Sequence, residues 1–125
     1  MTGVQTCALP ISPFPQYGDL EKALSNVNPN SFKILLSHDP THWDEQVLHK
    51  TNIDLTLSGH THGAQFGIEI PGWRWSPVSI RYKRWGGMYK EGAQHLNVNT
   101  GIGFIGYPGR VGMPPEITVI QLKRG

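Results

Sequence analysis

The chain has 125 residues, 38% of them apolar and 16% charged, with a formal net charge of +2. That apolar content supports one core, while so small a net charge supplies no strong field to gather nucleic acid. The sequence holds no internal repeat, no low-complexity tract and no apolar run of membrane-spanning length, and its single cysteine, Cys7, leaves no intrachain disulfide.

Residues 1–11, Met-Thr-Gly-Val-Gln-Thr-Cys-Ala-Leu-Pro-Ile, read in frame as a translated short-read sequencing adapter and are set apart as a non-native segment. The natural chain is then expected over 12–125, as one small domain or part of one. Residues 12–18 are irregular. Asp19 has the side chain of an N-cap, for a helix that carries Leu20, Ala23 and Leu24 on one side and ends in the stretch 26–30. The apolar run 32–37 predicts a strand buried on both faces, and Pro40 stops it just after His38 and Asp39. Thr41 is placed to cap the next helix, with Asp44 and Glu45 in its first turn, Val47 and Leu48 facing inward, and Thr51-Asn52 closing it. Leu55-Thr56-Leu57-Ser58 reads as a second short strand, ended by Gly59-His60-Thr61-His62-Gly63. Strand, helix and strand at this spacing predict a βαβ unit with parallel strands.

Both strands of that unit run into histidine. Ligands gather at the carboxyl ends of strands in open α/β sheets, so His38, His60 and His62 are expected to converge at one edge. Neutral imidazoles there suit a borderline divalent metal. The spacing leaves open whether they serve one ion or two. His42, His49 and His95 have no such placement and read as helix-surface or strand residues. Asp39 and Asp54 are open to two roles, accepting from a ligand imidazole or ordering a turn or cap.

Downstream, 66–70 predicts a strand ended by Pro71-Gly72. Trp73, Trp75, Arg81, Tyr82, Lys83, Arg84, Trp85 and Tyr89 then mix aromatic with cationic groups. One reading is a rim that holds an anionic or amphipathic substrate or touches a headgroup layer, with Arg81 and Arg84 as its substrate-binding cations; the other is Arg and Lys stems covering a partly buried aromatic cluster. A strand over 95–99 follows, then a loop bent by Gly101, Gly103, Gly106 and Gly109. The alternation over 117–122 predicts a last strand.

Ile34-Leu35-Leu36-Ser37-His38-Asp39-Pro40, followed after about one helix by Asp54-Leu55-Thr56-Leu57-Ser58-Gly59-His60-Thr61-His62-Gly63, resembles the C-terminal half of a calcineurin-like metallophosphoesterase. Asn97-Val98-Asn99-Thr100-Gly101-Ile102-Gly103 and Pro114-Pro115-Glu116-Ile117-Thr118-Val119-Ile120 are similar to its bacterial membrane-associated branch acting on lipid-linked pyrophosphates. The resemblance covers nearly all of 20–123. It implies an α/β fold, half of a β-sandwich flanked by helices, and hydrolysis of a phosphomonoester, phosphodiester or pyrophosphate. Two divalent metal ions (Mn, Fe or Zn), about 3.5–4 Å apart, would clamp the phosphate and supply a hydroxide. His38 and His60 are the implied ligands of one ion and His62 of the other. The implied partner is a phosphate ester, lipid-linked in that branch, with peripheral membrane contact and no nucleic acid.

Two departures stand out. Ala64 replaces a family glycine without touching a ligand. The family's Asp-x-His motif, bridging aspartate and asparagine-histidine motif have no counterpart between Ser12 and Phe32, so the chain reads as a fragment truncated at its N-terminus. Such a fragment is expected to be inactive by itself. The alternatives are a non-catalytic domain with the phosphoesterase fold and a nucleic-acid-binding module built on Arg81-Tyr82-Lys83-Arg84-Trp85.

Overall fold

The computed structural model describes residues 4–7, for their backbone, and residues 18–123. The fold is mixed α/β. Among the described residues the strands are β1 (Val4–Cys7), β2 (Ile34–Ser37), β3 (Leu55–Ser58), β4 (Ile68–Ile70), β5 (Trp73–Trp75), β6 (Gly87–Glu91) and β7 (Gln94–Val98), with one α-helix, α1 (Leu20–Leu24). A five-stranded sheet runs in the order β1-β2-β3-β7-β6, and β4 and β5 form a separate two-stranded hairpin. β1, β2, β3 and β7 are mutually parallel neighbours, and β6 is antiparallel to β7.

α1 starts where the sequence places it. Asp19 is extended, and its carboxylate accepts from the Lys22 amide at 2.9 Å, satisfying a donor that the first helical turn leaves free. The helix sets Leu20 into a core with Leu35 of β2, Trp43, Val47, Ile53, and Leu96 and Val98 of β7, while Leu24, Leu48 and Tyr89 pack on its margin. The register explains this side of the sheet: Leu35 pairs with Thr56 and Thr56 with Leu96, so the three share one face.

The expectation that 32–37 is buried on both faces is corrected. Leu35 and Ser37 are buried while Ile34 and Leu36 are only half-buried, because the described helical elements cover the face that Leu35 shares. Phe32 is exposed, whereas Lys33 is buried. Its ammonium donates to the carbonyls of Pro29 and Ser31 at 2.8 and 2.9 Å, which makes burial of that charge tolerable.

The connection between β2 and β3 also differs in detail. Asp39, not Thr41, caps it, accepting from the Thr41 amide and hydroxyl at 2.9 and 2.7 Å. The helical segment then widens into a π-turn over Trp43–Val47, closed by the Leu48 amide donating to the Trp43 carbonyl at 2.8 Å. Gln94 of β7 holds this end from outside: its amide nitrogen donates to the carbonyls of Val47, Thr51 and Ile53, and its oxygen accepts from the His49 amide. His42, read from the sequence as a helix-surface residue, is fully buried instead.

No strand forms over 117–122 among the described residues. The segment alternates as expected, with Glu116, Thr118 and Ile120 partly covered and Ile117 and Val119 exposed. It is tied by side chains, not by a ladder: Asn99 donates to Thr118 at 2.8 Å, and Glu116 accepts from the Thr100 amide and hydroxyl at 3.0 Å each. These donors hold the Glu116 carboxyl below the ordinary carboxylate range although burial opposes them.

The backbone of Val4–Cys7 lies parallel to β2 with Val4 opposite Ile34. Edge pairing of this kind is a main-chain interaction that any β-prone tetrapeptide satisfies.

Candidate metal centre

β2 and β3 are in register, with Leu36 opposite Leu57, and their carboxyl ends are therefore level. His38 follows β2 directly. His60 follows β3 after Gly59, whose amide donates to the His38 carbonyl at 3.2 Å. This one bond joins the two turns, and the His38 and His60 rings stand 4.6 Å apart between centroids, tilted by 57°. Both rings are exposed.

The turn that presents them is strained. His60, His62, Ala64 and Gln65 all have positive φ, between 50° and 64°, as does Gly63. Only glycine adopts that region freely, and each other residue there costs about 1–3 kcal/mol unless its surroundings impose it. The surroundings here are specific. The Thr61 hydroxyl donates to the Trp85 carbonyl at 2.7 Å, and the buried Ser76 hydroxyl donates to the Gly63 carbonyl at 2.7 Å. Gln65, also buried, donates to the carbonyls of Tyr107 and Gly109 and accepts from the Ile105 amide. A Cβ on Gly63 would stand 2.6 Å from the Met113 methyl.

His62 sits deeper than its two companions. Burial lowers its pKa, and the positive charge of Arg110 and of protonated His60 or His38 lowers it further. Its Nδ1 is buried without a hydrogen-bond partner. The three expected histidines thus share one electrostatic environment. Tyr82 stands edge-on to the His60 ring at 5.9 Å between centroids. Burial raises the pKa of its phenol, Asp39 adds to that, and Arg81 opposes it.

A metal demands more than proximity. Neutral imidazoles and an unpartnered ring nitrogen are the right donors, but among the described residues no three His, Cys, Asp or Glu side chains converge closely enough to hold an ion. Asp39 and Asp54 are taken up elsewhere, Asp39 at Thr41 and Asp54 on the Lys33 amide at 2.7 Å. The residues present therefore fit part of a metal site, and by themselves they do not complete one.

The aromatic and cationic stretch divides. Arg81 is exposed at the end of the short helical turn Pro77–Ile80. Arg84 is buried, bridging Asp44 at 3.0 Å and Glu91 at 3.1 Å, and its guanidinium lies 4.6 Å from the Trp43 ring and 5.4 Å from that of Tyr89. Burial would depress its pKa, and the hydrogen bonds to Asp44 and Glu91 reverse that and raise it. Arg84 is thus an internal cation. With Trp85 also buried, the run 81–85 presents no continuous stacking platform for bases.

Arg110 and Tyr82 complete the surroundings of the histidines. Tyr82 was visible within the aromatic run, but no feature of the glycine-rich loop singles out Arg110, which is brought to His62 by donating to the carbonyls of Thr100 and Gly103.

The buried His42 supplies a testable property of this end of the sheet. Its Nδ1 lies 2.8 Å from the Ser37 hydroxyl, and its Nε2 has no partner. Burial lowers its pKa, with Gln46 and Asp39 opposing. The unfolded chain takes up a proton near pH 6.5 and the folded chain at a lower pH, so stability is intact above that value and falls as pH drops through the interval. Thermal unfolding between about pH 7.5 and pH 5 should show a Tm loss of several degrees that is visibly smaller in His42→Asn. Because His62 contributes with the same sign in both proteins, the difference between them isolates His42.

Comparison with known proteins supplies names. The chain is 39% identical over 108 residues to an uncharacterized metallophosphoesterase of Bacillus subtilis, covering 84% of this chain and 36% of that protein. It is 32% identical over 91 residues to the phosphodiesterase YaeI of Escherichia coli, covering 72% and 32% respectively. It is 34% identical over 115 residues to a zebrafish (Danio rerio) transmembrane protein with a metallophosphoesterase domain, covering 89% and 25%. The chain thus spans about a quarter to a third of the length of these relatives. No family model matches it, and no solved structure does.

Proposed function

We propose that this chain belongs to the calcineurin-like metallophosphoesterases and contributes the histidine half of a dinuclear metal site in a phosphoester hydrolase. The observation that carries this reading is the 4.6 Å approach of His38 and His60 at the level ends of adjacent parallel strands, with His62 in the same strained turn. Similarity to proteins named metallophosphoesterases supports it. When bound, the divalent ions, manganese, iron or zinc, would polarise the phosphate and supply a hydroxide. What the chain itself does is hold three imidazoles at the level ends of two strands, favour the neutral form of His62 by burial and by the charge of Arg110, and wall one side with Tyr82. The remaining ligands, carboxylates above all, belong to a protein of the relatives' length.

The substrate we propose is an amphipathic phosphate ester, lipid-linked, met at a membrane surface. Exposed Arg81 is the group assigned to its capture. Arg84, with its charge already satisfied, acts on capture through the segment it anchors. Relatives named as transmembrane proteins support the membrane setting, and no described helix of this chain is long and apolar enough to cross a bilayer. A non-catalytic domain with the same fold is the second reading, favoured by the lack of a converging three-ligand group among the described residues.

The test is manganese-dependent hydrolysis of a chromogenic phosphodiester. The 125-residue chain is expected to bind manganese weakly and to show no turnover, since ions at that separation repel without carboxylates between them. Joined to the upstream region of its parent gene it should hydrolyse the ester, and His60→Ala should remove that activity by at least about a hundredfold. Turnover by the bare chain that His60→Ala abolishes would show that the residues present suffice, and inactivity of the joined protein would favour the non-catalytic reading.

A further inference from the structure

Three parallel strands, not two, end level at the histidine edge. β7 runs beside β3 with Ser58 opposite Val98, and the Asn99 amide donates to the Ser58 carbonyl at 2.8 Å. Thr100, the next residue, therefore stands beside the turn that carries His60 and His62. Its methyl group lies 3.5 Å from the place a Cβ on Gly63 would take. The loop that follows returns to the same turn, where the Val111 amide donates to the Gln65 carbonyl at 2.8 Å. Arg110 is thus held against the turn twice, through its neighbour Val111 and through its own Nη2, which donates to the carbonyls of Thr100 at 2.7 Å and Gly103 at 2.8 Å.

The charge of Arg110 is not answered. Arg74 and Arg84 each pair with carboxylates, whereas among the described residues Arg110 forms no ion pair. The acids nearby are engaged elsewhere: Glu116 by Thr100 and Thr118, Asp39 by Thr41, and Glu69, which shares an open groove with Arg110, by Arg74. A mere staple for the glycine-rich loop needs only Nε and Nη2, and both already reach carbonyls. Nη1 is left buried without a partner, at a cost of about 1–3 kcal/mol. The imidazoles bring no negative charge to offset it. A guanidinium fixed in place and left uncompensated is suited to an oxyanion, phosphate above all.

We infer that Arg110 is a phosphate-binding residue of the histidine site, a fixed cation that takes an oxygen of the phosphate brought against His62. Arg81 remains the exposed cation of first capture, and Arg110 holds the phosphate once it has arrived. Nothing in the glycine-rich loop marks this arginine in the sequence, and the level ends of β3 and β7 are what bring it to the turn.

The inference rests on the phosphoester reading for the identity of the anion, and its test uses neither a divalent metal nor turnover. The 125-residue chain, kept in chelator, is titrated with inorganic phosphate and followed by the linewidth of the phosphorus resonance. In parallel, the wild-type chain is treated with phenylglyoxal with and without phosphate, and the labelled arginines are mapped by mass spectrometry. Phosphate is expected to protect half-exposed Arg110 while exposed Arg81 goes on reacting. Arg110→Gln should bind phosphate at least about fivefold less tightly, with Arg110→Lys between it and the wild type. The labelling needs no variant, so it decides the matter even where loss of the Thr100 and Gly103 contacts unfolds Arg110→Gln. Absence of phosphate binding by the wild-type chain overturns the inference, and so does equal binding by an Arg110→Gln variant of unchanged Tm. Protection of Arg81 in place of Arg110 would move the phosphate contact to Arg81 and overturn it likewise. Each of these failures leaves the histidine assignment standing, whereas inactivity of the joined protein bears on that assignment and not on Arg110.

Discussion

Trp43→Ala is expected to be the most damaging single truncation in the chain, at about 3–5 kcal/mol. Trp43 is completely buried in the cluster it forms with Leu20, Leu35, Val47, Ile53, Leu96 and Val98, which joins α1, the π-turn, β2 and β7. Its removal leaves a cavity that the π-turn cannot easily collapse into, because Gln94 pins that turn from the sheet side. It also takes away the ring beneath Arg84, a contact worth about 0.5–2 kcal/mol in similar settings. Since domains are stable by only about 5–15 kcal/mol in total, much of the margin would go. Urea unfolding should show a large fall in midpoint for Trp43→Ala and a much smaller one for Trp43→Phe. Equal midpoints for Trp43→Ala and wild type would mean that the core is not organised around this ring.

The second large effect is expected at Gly112. Its φ is +66°, and a Cβ built there would stand 1.9 Å from the Gly67 carbonyl oxygen. Left-handed strain alone costs about 1–3 kcal/mol for a residue with a side chain, and the clash with backbone cannot be relieved by a rotamer change. Gly112→Ala should therefore separate the two strands of chain that meet here. The Gly67 amide donates to the Val111 carbonyl at 2.9 Å, and the Val111 amide donates to the Gln65 carbonyl at 2.8 Å. Loss of these bonds would free the base of the β4–β5 hairpin. Hydrogen exchange at Gly67 and Val111 should rise well before global unfolding, with Tm reduced. Unchanged protection at both amides would refute the placement of this crossing.

Where local chemistry and tertiary placement agree, the sequence was readable. Asp19 caps α1 because a carboxylate can reach its own helix, and the two histidine-ended strands met because parallel neighbours share an edge. The residues that misled did so for nameable reasons. Thr41 has the chemistry of a cap, but its hydroxyl is engaged as a donor to the Asp39 carboxylate two residues earlier, which also takes the Thr41 amide. The alternation over 117–122 is genuine, yet period-2 patterning states only which side chains face together and cannot supply a partner strand. His42 lies on the same short segment as exposed residues, and a π-turn shifts which positions face inward, so helical periodicity could not find it. Arg84 and Arg81 look alike in sequence. One is drawn inside by two carboxylates and two rings contributed from 5 to 41 residues away, information that no local pattern contains.

The strand order has a consequence for how the sheet comes together in time. β6 and β7 are joined through a tight turn at Gly92, with Glu91 opposite Gln94, a closure of the kind that takes microseconds. β2 and β3 pair across 21 residues, Leu36 with Leu57. The step that unites the two halves is β3 with β7, Leu55 with His95, across 40 residues, and its closure must be reached before its contacts repay it. His38 and His60 follow the two strands on the earlier side of that step, and the β4–β5 hairpin lies within the loop that it closes. The ends of β2 and β3 are therefore expected to come level while the tryptophan-bearing segment is still an open loop, and the strained turn that presents His60, held by Trp85 and Ser76, sets only once that loop has closed.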